Sequence, residues 1–208
     1  MRLSLLMAVG LLLTGCNAVV TRSPLFTRAD EAGAPAPREG LWRFDGDTDC
    51  AVDEGRPLIE WPACAGGAVL KGGLAGYYER KTGSPVWTEQ AFILAAGKPR
   101  IAQAQVVVSG DVKLDANPYA YAGATATKFD ERGRITAFSF WPVQCGPPPP
   151  SAGVDAITRA PLPGMTVQEG QPLCTTTSVE ALRNAARASQ AWAPRPLSAH
   201  WVRDGGPA

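Results

Sequence analysis

The chain has 208 residues, of which 45% are hydrophobic, so it can bury one sizeable core but is short for two domains. Its formal net charge is +1 at pH 7, and binding to nucleic acid or to anionic lipid headgroups would need clustered positive charge. Composition therefore argues against nucleic acid as a partner and against a polybasic contact with a membrane.

The first sixteen residues are typical of an export signal. Arg2 precedes a largely apolar run over residues 3–13, which is too short to span a bilayer as a permanent helix. The sequence Leu13-Thr14-Gly15-Cys16 resembles the lipobox of bacterial lipoproteins, and this resemblance implies cleavage before Cys16 and acylation of that residue. Asn17 in the second mature position resembles a signal for the outer rather than the inner membrane. The anchored domain is expected to face the periplasm, and an orientation towards the cell surface is left open. The alternative is an ordinary signal peptide with an unrelated cysteine.

Three segments are predicted along the chain. Residues 1–15 form the signal peptide, residues 16–39 a lipidated N-terminus with a flexible tether, and residues 40–208 a single disulfide-bridged β-rich domain. The tether is inferred from repeated prolines and little periodicity. Its apolar exception, Leu25-Phe26, is expected either to dock back on the domain or to contact a partner.

Four cysteines remain when Cys16 is assigned to lipid, and an exported chain predicts two disulfides among them. We expect Cys50 to pair with Cys64 and Cys145 with Cys174, because each pair brackets one local loop that contains Pro and Gly. The two other connectivities remain open. A zinc site with four thiolates would need close spacings such as C-x2-C, which the sequence lacks.

Short apolar runs separated by turn residues predict strands from residue 40 onward. They cover residues 41–44, 68–70, 74–78, 86–94, 100–108, 112–114, 119–129 and 134–143, with a further short strand over 195–202. The clearest hairpin joins 119–129 to 134–143. Its first strand has a period of two, with alanines on one face and mainly Tyr and Thr on the other, which predicts cover on both sides.

One helix is predicted after Cys174. Thr177 and Glu180 fit a capping box, Pro194 ends the segment, and small residues at helical spacing form one face. The fold class is therefore mainly β: an antiparallel meander of about eight strands, as a curved or barrel-like sheet, with one C-terminal helix packed on it. The small residues of the helix and of the alanine face favour close packing over an open interior.

Gly40-Leu41-Trp42 resembles the G-x-W of the first lipocalin strand, and the order of eight strands and a helix is similar to that family. This resemblance implies a barrel that carries a small apolar ligand. The alternative is a tryptophan that packs the end of an ordinary sheet.

Other candidate sites are less complete. Asp45, Asp47 and Asp49 resemble the start of a calcium loop, but Cys50 stands at the turn glycine and Arg56 at the bidentate acid, so a solvated acidic loop is the alternative. His200 is the single histidine, and no G-x-S-x-G motif presents a serine to it. No catalytic residue and no cofactor are predicted.

These observations predict a lipoprotein that is anchored in the bilayer through acylated Cys16 and has a non-enzymatic role in binding or envelope structure. An envelope protein is the expected macromolecular partner, and the oligomeric state is left open. The alternatives are a lipocalin-like carrier of a small apolar ligand and an envelope hydrolase with an unrecognised site.

Overall fold

The computed structural model describes residues 17–46, 50–80, 84–106, 117–147, 158, 160–169, 171, 173–193 and 196–206. Within these ranges the strands are β1 Ala18–Thr21, β2 Gly40–Asp45, β3 Gly66–Lys71, β4 Leu74–Glu79, β5 Val86–Ala95, β6 Arg100–Gln105, β7 Tyr119–Phe129, β8 Ile135–Pro142, β9 Thr166–Val167, β10 Leu173–Thr175 and β11 Leu197–Arg203. The helix of the described chain, α1, covers Val179–Trp192. The predicted strand 112–114 lies outside the described residues.

Eight of these strands close into an antiparallel barrel. Strands β2 to β8 pair in chain order, and β11 completes the ring by pairing with β8 on one side and β2 on the other. Closure leaves no free edge in the ring, which removes the usual site of edge-to-edge association. The predicted mainly β fold, with a barrel-like sheet and one helix, is confirmed. The helix lies between the seventh and eighth barrel strands instead of after all of them.

Tight turns join the strands at one end of the barrel. Gly72 and Gly73 connect β3 to β4 with φ angles of 56° and 75°, and Gly133 connects β7 to β8 at 73°. These left-handed angles favour glycine, which carries no Cβ. Long connections lie at the opposite end, where β2 leads into the segment with Cys50 and β8 into the segment with Cys145. The two ends of the barrel are therefore built differently.

Helix α1 packs on the outer face of the barrel. Ser178 caps it by accepting a hydrogen bond from the Ala181 amide at 3.1 Å, so the predicted cap at Thr177 is wrong by one residue. The face towards the barrel consists of small or apolar side chains, namely Ala181, Leu182, Ala185, Ala186 and Ser189. The Trp141 indole donates to the carbonyl of Ala186 at 2.8 Å, and its ring lies over Gly123, where a Cβ would be only 2.5 Å away. A strand glycine therefore gives the ring room between helix and sheet.

The segment before the barrel is folded, and the flexible tether predicted for residues 16–39 is wrong over residues 17–39. Strand β1 pairs with β7 and β10, and Val19 and Val20 are each 1% exposed. The buried Gln103 side chain accepts hydrogen bonds from the amides of Leu25 and Phe26 and donates to the Phe26 carbonyl. Of the two alternatives for Leu25-Phe26, docking on the domain is confirmed. The burial of short apolar stretches and the hydrogen bonds with Gln103 therefore order this segment in spite of its prolines.

Two disulfides join the predicted partners: one closes the loop between β2 and β3, and the other ties β10 to the segment that follows β8. Cys50 is bonded to Cys64, with Cα atoms 5.8 Å apart, and Cys145 to Cys174, with Cα atoms 6.1 Å apart. Trp61, within the first loop, is 2% exposed. The described helix is not long and apolar enough to cross a membrane.

Candidate binding site in the barrel lumen

The lumen, defined as the space inside the eight-stranded ring, is lined mainly by apolar side chains. Directly opposed residues of paired antiparallel strands face the same side of a sheet, so the register fixes which residues point inward. The apolar part of the inward set includes Trp42, Phe44, Leu70, Phe92, Leu94, Ala102, Ala124, Ala126, Phe138, Phe140, Ala199 and Trp201. The same register also turns the polar residues Tyr77, Thr88, Gln90 and Arg100 inward. The predicted alanine face of β7 is therefore the inner wall of the barrel, and α1 covers the opposite face.

Aromatic rings of β2 and β8 meet inside the barrel. Trp42 and Phe138 have ring centroids 5.5 Å apart, and Phe44 and Phe140 meet edge to face at 6.1 Å. Phe138 and Phe140 are the register partners of Ala126 and Ala124, so these rings lie on the strand next to the alanine wall.

Trp42 forms the buried floor of this arrangement. It is 1% exposed, and its indole donates to the Arg38 carbonyl at 2.8 Å. Gly40 is needed beside it, because a Cβ there would lie 2.3 Å from the Arg203 carbonyl oxygen and its φ is 123°.

Several inward-facing side chains remain accessible to solvent although the barrel wall surrounds them. Phe92, Phe138 and Phe140 are half-buried, and so is Ala102 near the middle of β6. A closely packed core would bury such residues completely. The expectation that small residues close the interior is therefore not met along this part of the lumen.

The end of the barrel with tight turns is covered by residues 28–39, which we call the cap. At one side, the Glu31 carboxylate accepts a hydrogen bond from the Leu94 amide and the Asp30 carbonyl accepts one from Ala96. At the other side, the cap pairs with β8, where the Ile135 amide donates to Ala36. These contacts lie on strands across the ring, so the cap spans the barrel end as a strap.

A cavity of about 280 Å³ lies beneath the cap. Its apolar lining includes Leu70, Phe92 and Leu94, which also belong to the lumen. The volume lies near the lower limit of ligand pockets, about 300 Å³. The cavity therefore shares part of its wall with the apolar lumen and has the size of a small molecule or of one end of a larger one.

Arg100 is the most deeply buried cation of the cavity lining, at 8% exposure. It is the first residue of β6 and its register partner is Ala124, so it points inward. One guanidinium nitrogen donates to the Pro35 carbonyl of the cap, while Nε is buried and has no hydrogen-bond partner in the described chain. Burial lowers the pKa of Arg100, and the nearby Glu31 carboxylate opposes this effect. Arg100 is therefore a partly unsatisfied positive charge at the apolar lumen.

A separate polar cluster surrounds His200 on the outside of the barrel. Its Nδ1 lies 3.0 Å from an Asp45 oxygen and its Nε2 lies 3.1 Å from a Glu54 oxygen. Ser198 donates to Asp45, not to His200, so the cluster lacks the contact between nucleophile and base that covalent catalysis requires. Burial raises the pKa of Glu54, but hydrogen bonds from Arg43 and His200 outweigh it, and the pKa is lowered overall.

The structure describes only part of the predicted calcium site. Both carboxylate oxygens of Asp45 are already engaged by Ser198 and His200, while Asp47 and Asp49 lie outside the described residues. Among the described residues, no three His, Cys, Asp or Glu side chains are grouped so that they could hold a metal ion. Cys16, the predicted lipidation site, also lies outside the described residues.

Sequence reasoning missed the cap and Arg100. The acid three residues after Thr27 is a signal for the cap, because the Asp30 carboxylate accepts from the Thr27 amide at 2.7 Å and opens the 3₁₀ turn Arg28–Glu31. The sequence signal for Arg100 as a site residue is its place on the same strand face as Ala102 and Ala104, where a charged side chain is unexpected.

No protein-family model matches this chain, and no curated protein or solved structure is significantly similar to it.

Proposed function

We propose that the protein is a binding protein whose barrel lumen accommodates a small, mainly apolar molecule. The observation that supports this proposal is the incomplete burial of Phe92, Phe138 and Phe140 inside a closed barrel. Ligand sites in proteins are concave, mostly apolar and lined by aromatic rings, with a few polar groups that orient the ligand. The barrel offers both features, since the apolar lumen leads to the polar cavity beneath the cap. A lipocalin-like carrier is therefore favoured over a purely structural role.

The test uses an uncharged fluorescent probe, N-phenyl-1-naphthylamine, titrated into the purified domain. We expect saturable binding at one site per chain, with enhanced probe emission. Ala126→Phe should weaken binding at least about tenfold, because a ring at this inward, half-buried position fills part of the lumen.

Thr125→Phe is the matched control. It adds a ring at the neighbouring position, which is exposed on the outer face of β7. This variant should bind the probe like the wild type. Non-saturable binding to the wild type, or equal binding by both variants when circular dichroism shows that they are folded, would refute the proposal.

We further propose that the domain is an exported lipoprotein, anchored by acylated Cys16 at the periplasmic side of the outer membrane, and that it has no enzymatic activity. Two disulfides are compatible with an oxidising compartment. Asn17 is fully buried, and its side-chain oxygen accepts a hydrogen bond from the Thr158 amide, so the residue next to the proposed anchor belongs to the folded domain. Labelling of whole cells with radioactive palmitate should modify the wild type and not Cys16→Ala. Label retained by the variant would exclude this anchor.

A further inference from the structure

The cavity beneath the cap combines an apolar wall with an excess of positive charge. Three cations, Arg28, Lys71 and Arg100, and two carboxylates, Glu31 and Glu39, line it. Arg28 is paired with Glu31 at 3.0 Å, and the Glu39 carboxylate accepts a hydrogen bond from the Gly72 amide at 2.9 Å. Both carboxylates are therefore engaged in holding the cap to the barrel.

Arg100 is left without a carboxylate within ion-pairing distance among the described residues. Its one hydrogen-bonded partner in the described part of the chain is a backbone carbonyl, and its buried Nε has no partner there. Removing a guanidinium from water is costly unless an opposite charge or a full set of acceptors replaces the water. Arg100 lies opposite Ala124 and lines the same cavity as Leu94 and Phe92, which gives it an apolar surrounding on the lumen side.

Resting on the proposed binding function, we propose that the ligand is an apolar carboxylic acid, whose carboxylate pairs with Arg100 while its hydrocarbon part extends into the lumen. A planar guanidinium matches a carboxylate in a two-point hydrogen-bonded pair. The cavity lining has three cations and two carboxylates, so its net charge of +1 would be neutralised by a ligand with one negative charge. Glu31 and Glu39 in the same lining would repel the second charge of a phosphate monoester, so a carboxylate is favoured over such a group.

The test compares decanoate with 1-decanol as competitors of the uncharged probe at pH 7.5. The two molecules have the same chain and differ in the charge of the head group. We expect decanoate to displace the probe from the wild type at a concentration at least about tenfold lower than 1-decanol, as one buried charge-assisted hydrogen bond allows. Arg100→Gln should lose this preference, and Arg100→Lys should keep part of it.

Lys128→Gln is the matched control, because it removes an exposed cation of β7 that does not line the cavity. It should retain the full preference for decanoate. The comparison on the wild type needs no variant, so it remains decisive if an Arg100 variant does not fold. If the probe binds but decanoate is no better than 1-decanol, the carboxylate proposal is wrong and the binding function stands. If the probe does not bind at all, the binding function itself fails.

Discussion

The phenol of Tyr121 makes the stability of this protein sensitive to alkaline pH. The side chain lies between β7 and the N-terminal segment and is 1% exposed. Its hydroxyl lies 2.6 Å from that of Thr21, which itself donates to the Ser23 carbonyl, so Tyr121 donates to Thr21. Burial raises the pKa of Tyr121 from 10.0 to about 12, and the hydrogen bond with Thr21 only partly offsets this effect. The folded state therefore favours the neutral phenol.

The sign of the effect follows from proton linkage. A group whose pKa is higher in the folded state contributes stability that is complete below the unfolded pKa, near 10, and is lost as the pH rises towards 12. Two pKa units correspond to about 2.7 kcal/mol of unfolding free energy, of which about 2 kcal/mol is lost by pH 11.5. Tyr121→Phe abolishes this loss. At pH 8 the variant is less stable than the wild type by about 1 kcal/mol, because one buried hydrogen bond is removed.

The assay is urea unfolding followed by tryptophan fluorescence between about pH 8 and 11.5. The difference in unfolding free energy between wild type and Tyr121→Phe should reverse its sign within this range. Thr21→Val is the control, since it removes the hydrogen-bond partner and keeps the phenol, so its stability should still fall at high pH. Parallel curves for the wild type and Tyr121→Phe would show that burial of this phenol does not couple to stability.

Three further predictions concern other parts of the fold. Glu54→Gln should flatten the decrease in melting temperature between about pH 5 and 3, because the lowered pKa of Glu54 gives stability that is lost as the wild type is acidified; an unchanged acid profile would contradict this. Gly123→Ala should reduce the unfolding free energy by about 1–3 kcal/mol through contact with Trp141, whereas Gly46→Ala, with open space around it, should have little effect in the same urea titration. Replacing Cys50 and Cys64 by serine should cost about 3 kcal/mol, and replacing Cys145 and Cys174 about 3.6 kcal/mol, since the second bridge closes the longer loop. The reverse order in calorimetry would show that native contacts of the loops outweigh loop entropy.

Much of the barrel could be predicted from local sequence. Strand β7 covers the predicted residues 119–129, because the alternation of alanine with other residues from Tyr119 to Thr127 indicates a period of two. The alternation also indicated two covered faces. It could not indicate which face is inside the barrel, because this depends on the pairing of β11 with β2 and β8.

The folded structure of the N-terminal segment, residues 17–39, could not be predicted, for a different reason. Its prolines are typical of a linker, yet its backbone is held by single side chains from distant strands, such as Gln103 on β6 and Arg100 beneath Pro35. Apart from the Thr27–Asp30 turn, the sequence of the segment itself carries no signal for these contacts. The candidate site was missed with it, since the cavity exists only where this segment crosses the barrel end.

The place of β11 in the ring has a consequence for biosynthesis. Trp42 on β2 pairs with Trp201 on β11, so the two strands that complete the ring are separated by about three quarters of the chain. A polypeptide that emerges N-terminus first cannot seal the barrel until residues 197–203 have appeared, and pairing across such a separation is intrinsically slow. Until then, β2 and β8 present open edges and the lumen exposes its aromatic rings. A stop shortly before residue 197 should therefore yield an aggregation-prone, unsealed sheet.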